Sequence, residues 1–473
     1  MGCGAEPRGG RGLAVTPPTT APLNDVRVTV VGGGLAGIAA ALSCADGGAE
    51  VTLVEVRPRL GGAAYSFERD GMVLDNGQHV FLRCCTAYRA LLERLGAAEA
   101  TTMQPRLAIP VIAPGGQVEW LRRSSLPAPL HLAVALARYG HLSVRERVGA
   151  ARAALRLSRL DPADRGLEEP TFGSWLAENG QSPSATESLW NLIALPTLNV
   201  PAQEASLAMA AFVFQTGLLH DAAAGDVGYA RRPLSQVHDE PSARALRAAG
   251  VDVRTGWRAE RVEVGPSEGL TVHGTEEDIS SDAVIVALPH ARAASVLPDG
   301  ALEDRSLLER LGFSPIVNLH VVYDRRVTDF ELAAGVQSPV QFLFDRTHES
   351  GVAPGQHLAV SLSGADQEAQ MSRDELHDRY VPALRELLPG AREARVERFE
   401  VVREHNATFR SAPGTGRLRP GARTSVDGLA LAGAWTATGW PATMEGAVRS
   451  GLAAAREALR VRDRAQPREV AKI

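Results

Sequence analysis

A short valine-rich run, Val26 to Val31, ends directly on Gly32-Gly33-Gly34-Leu35-Ala36-Gly37, and no other feature restricts the fold of this chain as much. The run reads as a buried parallel strand, Leu35 to Ala45 as a helix, and Val51 to Val54 as a second buried strand, together a βαβ unit. In that setting the G-x-G-x-x-G spacing has a mechanical meaning. Gly32 permits a tight turn, Gly34 lets the backbone approach a pyrophosphate, and Gly37 lets the helix pack on the strand. The helix N-terminus at Leu35 and Ala36 supplies N–H donors and a positive dipole end for phosphates. Glu55 closes the second strand, placed to accept hydrogen bonds from adenosine ribose hydroxyls, which disfavours a 2′-phosphate.

A chain of 473 residues, 45% hydrophobic, suits two joined domains with a sizeable core. No run approaches the roughly 20 apolar residues of a membrane-spanning helix. The start, Met1 to Asn24, lacks an apolar stretch and reads as neither signal peptide nor lipoprotein leader. The formal charge of −5 argues against a nucleic-acid partner. Four cysteines without a C-x-x-C pair, and histidines without ligand spacing, argue against a metal site. The only lysine is Lys472, which excludes Schiff-base chemistry and a P-loop lysine. No G-x-S-x-G supports a hydrolase.

The expected fold class is α/β, a Rossmann-type nucleotide domain interleaved with a substrate domain of antiparallel sheet plus helices. The nucleotide domain is expected over 25–105, 236–300 and 420–462, the substrate domain over 106–235 and 301–419. Residues 1–24 and 463–473 read as disordered ends. Leu107–Ile112 and Gln117–Leu121 flank Pro114-Gly115-Gly116 as a hairpin. Leu130 to Leu160 and Thr186 to Phe214 read as helical. Pro315–Tyr323, Val340–Phe344, His357–Leu362 and Val396–Val402 read as strands of the second sheet.

Gly61-Gly62 forms a second glycine turn that a simple NAD site does not require. No second G-x-G-x-x-G exists, which argues against a built-in NAD(P)H domain and leaves the external reductant unidentified. Near the other end, Leu431 to Ala447 reads as a strand, a turn at Gly433 and Ala434, and a helix start with Pro441 in its first turn, followed by Ala442, Thr443 and Met444. A helix N-terminus there favours negative charge on a reduced flavin ring.

These motifs resemble the amine oxidase and carotenoid desaturase superfamily of FAD enzymes. Leu74-Asp75-Asn76-Gly77-Gln78-His79-Val80 and Gly439 to Ala447 are similar to the hydroxysqualene dehydroxylases of bacterial hopanoid biosynthesis, and the likeness runs from about Val26 to about Ala458. Leu195 to Ser206, with Asn199, resembles that subgroup's substrate-domain segment. Ala259 matches the superfamily position whose backbone meets the adenine. The resemblance implies noncovalent FAD and reductive removal of hydroxyl from hydroxysqualene, a long apolar isoprenoid, to give squalene. Hydride would pass from reduced flavin to an allylic, cation-like carbon. The alternatives are a carotenoid-type desaturase and a noncatalytic flavoprotein that carries prenyl lipids. Against an amine oxidase stand the missing lysine and the 5% of aromatic residues.

Two positions depart from the superfamily pattern: Ala63 where an arginine commonly reaches the pyrophosphate, and Ala434 where an acid commonly holds a ribityl hydroxyl. Each lost hydrogen bond costs about 0.5–1.5 kcal/mol, so flavin occupancy after purification is in question. Removal of hydroxide needs an acid. Asp75 is expected to serve, protonated by burial, with His79 orienting it and Glu445 in reserve. Asn76, Gln78, Asn199 and Trp440 are expected to face the substrate. The arginines from Arg122 to Arg159 read as a solvated helix face or, since the implied substrate is a lipid, as a docking face for an anionic membrane on a cytoplasmic protein.

Overall fold

The computed structural model of the chain describes residues 26–265 and 269–461; the expected disordered ends lie outside the described residues. A five-stranded sheet carries the strands Asp252–Thr255, Glu50–Glu55, Arg27–Val31, Ala283–Val286 and Leu429–Leu431 in that spatial order, every pair parallel. Parallel strands need both faces covered, which is why they are valine-rich rather than alternating. Val28, Val30, Leu53 and Ile285 point into a core with the helices Leu35–Asp46 and Met444–Leu459. Val31, Val54, Val284 and Val286 point the other way, onto the three-stranded sheet of Ala259–Val264, Leu270–Gly274 and Ile279–Ser281.

The second domain is built on seven strands in the order Val396–Thr408, Ser314–Tyr323, Gln356–Ser363, Phe342–Asp345, Leu332–Gly335, Ala108–Ala113 and Gln117–Arg122. All its pairs are antiparallel except Leu332–Gly335 with Ala108–Ala113. The helix Arg373–Leu387 packs on one side of the long strands. Helices between Val144 and Phe214 form a separate apolar cluster with Leu332 and Phe344.

Several expected boundaries shift. The stretch 130–160 is two helices, Ala133–Arg138 and Val144–Leu157, the second opened by a Ser143–Glu146 capping box. The stretch 186–214 divides where Asn199 adopts a left-handed conformation, φ 56°, two residues before Pro201. Pro441 precedes the last helix instead of sitting in its first turn: Thr443 is the N-cap and Met444 the first residue.

The domains also interleave more finely than the expected ranges. Val227–Ala230 is held between Val80–Leu82 and Thr101–Met103, so the cut at 105 runs through one sheet. Leu308 and Leu311, beyond residue 300, belong to the nucleotide-side core. The hairpin of Ser66–Arg69 and Met72–Asp75 packs on Val322 of the substrate sheet.

Candidate active site

The nucleotide cradle is made of backbone. Gly32 has φ +114°, and a Cβ there would lie 2.5 Å from the Ala287 carbonyl oxygen. A Cβ on Gly37 would lie 1.8 Å from the Gly32 oxygen, the close helix–strand contact that the third glycine exists to allow. Gly34 differs: the nearest atom to its ideal Cβ is the Gly62 Cα at 3.7 Å, so the protein leaves that space open. It is the N-cap of the Leu35–Asp46 helix, no side chain caps it, and no acidic residue lies in the first turn. The first-turn N–H groups are thus left to a ligand, and this uncapped terminus beside an open glycine fits a pyrophosphate.

The second glycine turn lies back to back with the first. Gly61 N–H donates to Gly33 O at 2.9 Å, and a Cβ on Gly62 would approach the Gly34 Cα to 2.7 Å. Beside it stands an arginine that motif matching overlooks. Arg59 donates to the Gly62 carbonyl at 3.0 Å and stacks 3.7 Å from the Tyr65 ring centroid. Burial, and then Arg57, lower its pKa. A cation thus stands at this turn four residues before Ala63.

Glu55 is buried, one oxygen accepting from Gly33 N–H at 2.7 Å and the other from Arg57 N–H at 2.8 Å. Each oxygen keeps a second lone pair for a ribose hydroxyl. Trp257 N–H donates to the Glu55 carbonyl at 3.0 Å, which brings Ala259, the first residue of its strand, to the same end of the sheet. The Ala259 carbonyl already accepts from Arg292 at 2.8 Å.

At the C-terminal turn, Gly433 has φ +144°, and Arg419 does what no nearby motif reveals. Its buried guanidinium donates to the carbonyls of Ala434 and Trp435, both at 3.2 Å, and of Trp440 at 2.7 Å, as well as to that of Thr436. Burial lowers its pKa to about 10. Arg419 thereby fixes the loop leading to Pro441 and Ala442. Thr443 caps the helix by accepting from Gly446 N–H at 3.1 Å. Trp440 meets Phe212 edge-on, ring centroids 5.3 Å apart, and so joins the flavin-side loop to the apolar cluster of the second domain.

The Asp-Asn-Gly-Gln-His block divides into two roles. Asn76 is a tie: its amide donates to Ala63 O at 2.8 Å and Glu404 at 3.0 Å, and accepts from Tyr65 N–H at 3.0 Å. Its carbonyl accepts from Asn318 at 2.9 Å. Asp75 accepts from the Ser66 hydroxyl at 2.7 Å, Leu234 N–H at 3.0 Å and Arg346 at 2.8 Å, and both members of that ion pair are buried. This corrects the expectation of a proton donor. A carboxylate that accepts from three donors, one of them a guanidinium, is held as an acceptor.

Gln78 and His79 remain. Two small adjoining cavities share Asp75, Gln78 and Arg346 as walls; one reaches His79, Tyr229 and Phe344, the other His320 and His357. Gln78 Nε2, His320 Nε2 and His357 Nδ1 are buried without a protein partner. His320 Nδ1 and His357 Nε2 are 3.0 Å apart. Burial lowers the His320 pKa to about 4, and burial together with His320 holds His357 well below its ordinary value. Burial also lowers the His79 pKa, opposed by the charges of Asp75 and Glu404.

Two further expected residues are structural. Asn199 donates to Ser314 O and to the Thr408 hydroxyl, both at 2.9 Å, and accepts from Gly364 N–H at 2.7 Å. With every polar group engaged and 2% exposure, it faces no substrate. Glu445 accepts from Ala87 N–H at 3.1 Å, Tyr88 N–H at 2.7 Å and Arg449 at 2.6 Å. It caps the Thr86–Leu95 helix from another helix, both oxygens taken up as acceptors.

Cradle and fold together define a flavin-dependent oxidoreductase. The family model described as "Flavin containing amine oxidoreductase" matches residues 35–459, and the chain belongs to that family, with FAD as its cofactor. A hydroxysqualene dehydroxylase from Rhodopseudomonas palustris is 29% identical over 435 residues, covering 90% of this chain and 97% of its own. A probable zeta-carotene desaturase from Synechococcus elongatus is 24% identical over 478 residues, covering 92% and 98%. Cyclohexylamine oxidase from Brevibacterium oxydans superposes with a TM-score of 0.70 at 20% identity, over 93% of this chain and 100% of that one, a likeness of fold alone.

Proposed function

We propose that the enzyme removes the hydroxyl of hydroxysqualene reductively to give squalene, with His79 as the proton donor. The observation that carries this reading is the pairing of functions around one cavity. Gln78 and His79 are polar groups at a wall otherwise formed partly by Tyr229 and Phe344, and those two residues belong to the apolar cluster that reaches Trp440 through Phe212. A thirty-carbon chain is far larger than this small cavity, so the apolar cluster would take the chain and the cavity wall only its hydroxyl. Support also comes from relatives called hydroxysqualene dehydroxylase that are 26%, 28% and 29% identical to this chain over most of its length.

Bound FAD, in its reduced form, supplies a hydride. The chain's residues supply the rest. Gly34, the Leu35 helix N-terminus and Arg59 would hold its pyrophosphate, and Glu55 its ribose. The imidazolium of His79 gives its proton to the departing hydroxyl, so the C–O bond breaks with loss of water and leaves an allylic cation. Gln78 orients the water through its unpartnered amide. Asp75, Arg346 and Asn76 hold the block rigid, and Asp75 also keeps a negative charge near His79. Tyr229, Phe344 and Phe212 exclude bulk water, which would otherwise capture the cation.

Anaerobic, photoreduced protein mixed with detergent-dispersed hydroxysqualene tests this reading. Flavin reoxidation with squalene formation, followed by absorbance and mass spectrometry, is the expected result. Reduced protein that stays reduced, while oxidised protein bleaches with a carotene precursor, would mean the desaturase reading is correct instead.

A further inference from the structure

Eight of the eleven exposed large apolar side chains among the described residues lie between Val118 and Leu155. The same stretch concentrates positive charge. From Arg122 to Arg159 there are eight arginines and a single carboxylate, Glu146, a net of +7 in a chain whose formal charge is −5.

The helix Val144–Leu157 shows how the two features are arranged. At 100° per residue, Ala150, Ala153 and Leu157 share one face, and all three are buried in the second-domain cluster. Val144, Val148, Ala151 and Leu155 form a second apolar stripe on the opposite face, and all four are exposed, Val144 to 68%. Arg145, Arg152 and Arg159 flank that outer stripe, exposed and in no ion pair. The preceding segment repeats the pattern: Leu130, Ala133, Val134 and Ala137 fall on one exposed stripe, followed by Arg138. The two helices are joined through Arg147, which donates to the Ala137 carbonyl. A helix of an ordinary soluble domain buries one apolar stripe; this one has two, and only one is covered.

We infer that this helical pair is a docking surface for an anionic lipid bilayer, with Leu130, Val134, Val144, Val148 and Leu155 entering the interface and the arginines meeting the headgroups. Charge complementarity selects the occupant. Two such arginine-rich faces repel, so a symmetric dimer on this surface is disfavoured, and a purely polyanionic partner leaves the outer stripe uncovered. An apolar stripe fringed by arginine matches the acyl–headgroup boundary. The inner stripe of the same helix lies in the cluster that reaches Trp440 through Phe212, so the docked face backs onto the substrate region. The face stands on its own residues; only its purpose, collecting an apolar substrate, rests on the proposed function.

The test is flotation of the FAD-bound enzyme with vesicles of phosphatidylcholine, alone or mixed with phosphatidylglycerol, with no substrate present, so its outcome is independent of the turnover assay. The expected result is salt-sensitive flotation with the mixed vesicles only. Val144→Ser with Val148→Ser and Leu155→Ser should lower partitioning at least about tenfold. Arg145→Ser with Arg152→Ser and Arg159→Ser should lower it about fivefold per residue. These outward-facing variants should keep FAD absorbance and turnover of detergent-dispersed substrate. Failure of the wild type to float overturns the inference, as does flotation unaffected by either triple variant. Loss with the arginine variant but not the serine-stripe variant makes the face a general polyanion site and overturns lipid insertion. A doubled mass in solution that the stripe variant halves makes a second copy the occupant.

Discussion

The two halves of the site are built by opposite means. The flavin cradle around Gly34 and Gly62 is backbone: glycines back to back, an uncapped helix terminus, and one carboxylate. The pocket behind Asp75 is mostly side chains, brought from distant parts of the chain: Asp75 itself, His320, Arg346 and His357, with the Leu234 N–H beside them. The first binds a cofactor whose shape is fixed in advance, so its geometry is written in contiguous residues. The second holds a buried ion pair met by distant donors, beside two neutral imidazoles and an amide that each keep one nitrogen without a protein partner.

The sharpest way to break the comparison is at the glycines. The side chain of Gly34→Val would enter space that the protein leaves open, and should give folded, colourless protein with FAD lost altogether. Gly37→Val would drive a side chain into the Gly32 carbonyl and should fail to fold. Circular dichroism and flavin absorbance on the two variants separate the cases. Yellow Gly34→Val protein at wild-type occupancy would mean the pyrophosphate lies elsewhere.

The next largest effect concerns the side-chain pocket. His79→Gln should retain FAD and fold but slow squalene formation in single turnover by about 10²–10⁴-fold, the usual contribution of a positioned acid. Because burial lowers the His79 pKa below its ordinary 6.5, the reactive imidazolium is lost as pH rises through that lowered value. The single-turnover rate should therefore fall with rising pH across the weakly acidic range, and His79→Gln should flatten the profile. Stability runs the other way. A histidine whose folded pKa is depressed contributes stability above its unfolded value, lost as pH falls through the folded one. His320, at about 4, acts in the same direction. A rate that rises with pH would place the proton on another group.

Asp75→Asn distinguishes a structural carboxylate from a catalytic one. Arg346 would keep only its longer pair with Glu349 at 3.6 Å, so urea unfolding should register a loss of up to the about 3–5 kcal/mol of a broken buried pair, even without substrate. A structural role alone would leave the rate of the surviving folded fraction unchanged. Asp75 also raises the His79 pKa, so its neutralisation should move the pH–rate profile to lower pH. Unchanged stability with a hundredfold slower rate would restore Asp75 as the acid.

What was legible in the sequence follows the same division. The βαβ unit, the second glycine turn and most strands of both sheets could be read because periodicity and glycine spacing are local. The roles of Asp75, Asn199 and Glu445 could not. Their polar atoms are engaged by Arg346, by Ser314 and Thr408, and by Ala87 and Tyr88, none near them in the chain. Polar residues inside a recognisable motif then read as chemistry when they are supports. Arg419, which organises the flavin-side loop through four carbonyls, carries no signal that a motif could have caught. The strands between Ala259 and Ser281 were missed because only the middle one alternates cleanly, Leu270 and Val272 against Thr271 and His273, over too few residues to read.

The smallest expected effect bears on whether Ala63 weakens the cradle. Motif matching finds an arginine missing there, but Arg59 already reaches the Gly62 carbonyl and is held flat on Tyr65. If Arg59 supplies the positive charge at the pyrophosphate, Arg59→Met should weaken FAD binding by about tenfold or somewhat more, the value of one charge-assisted hydrogen bond at about 1.5–3 kcal/mol. Ala63→Arg should then tighten it by less, because the second cation meets the repulsion of the first and a phosphate already partly neutralised. Fluorescence titration of apoprotein with FAD measures both. A large gain from Ala63→Arg with no loss from Arg59→Met would show that the cradle lacks its cation after all, and that Arg59 serves only to pack the turn against Tyr65.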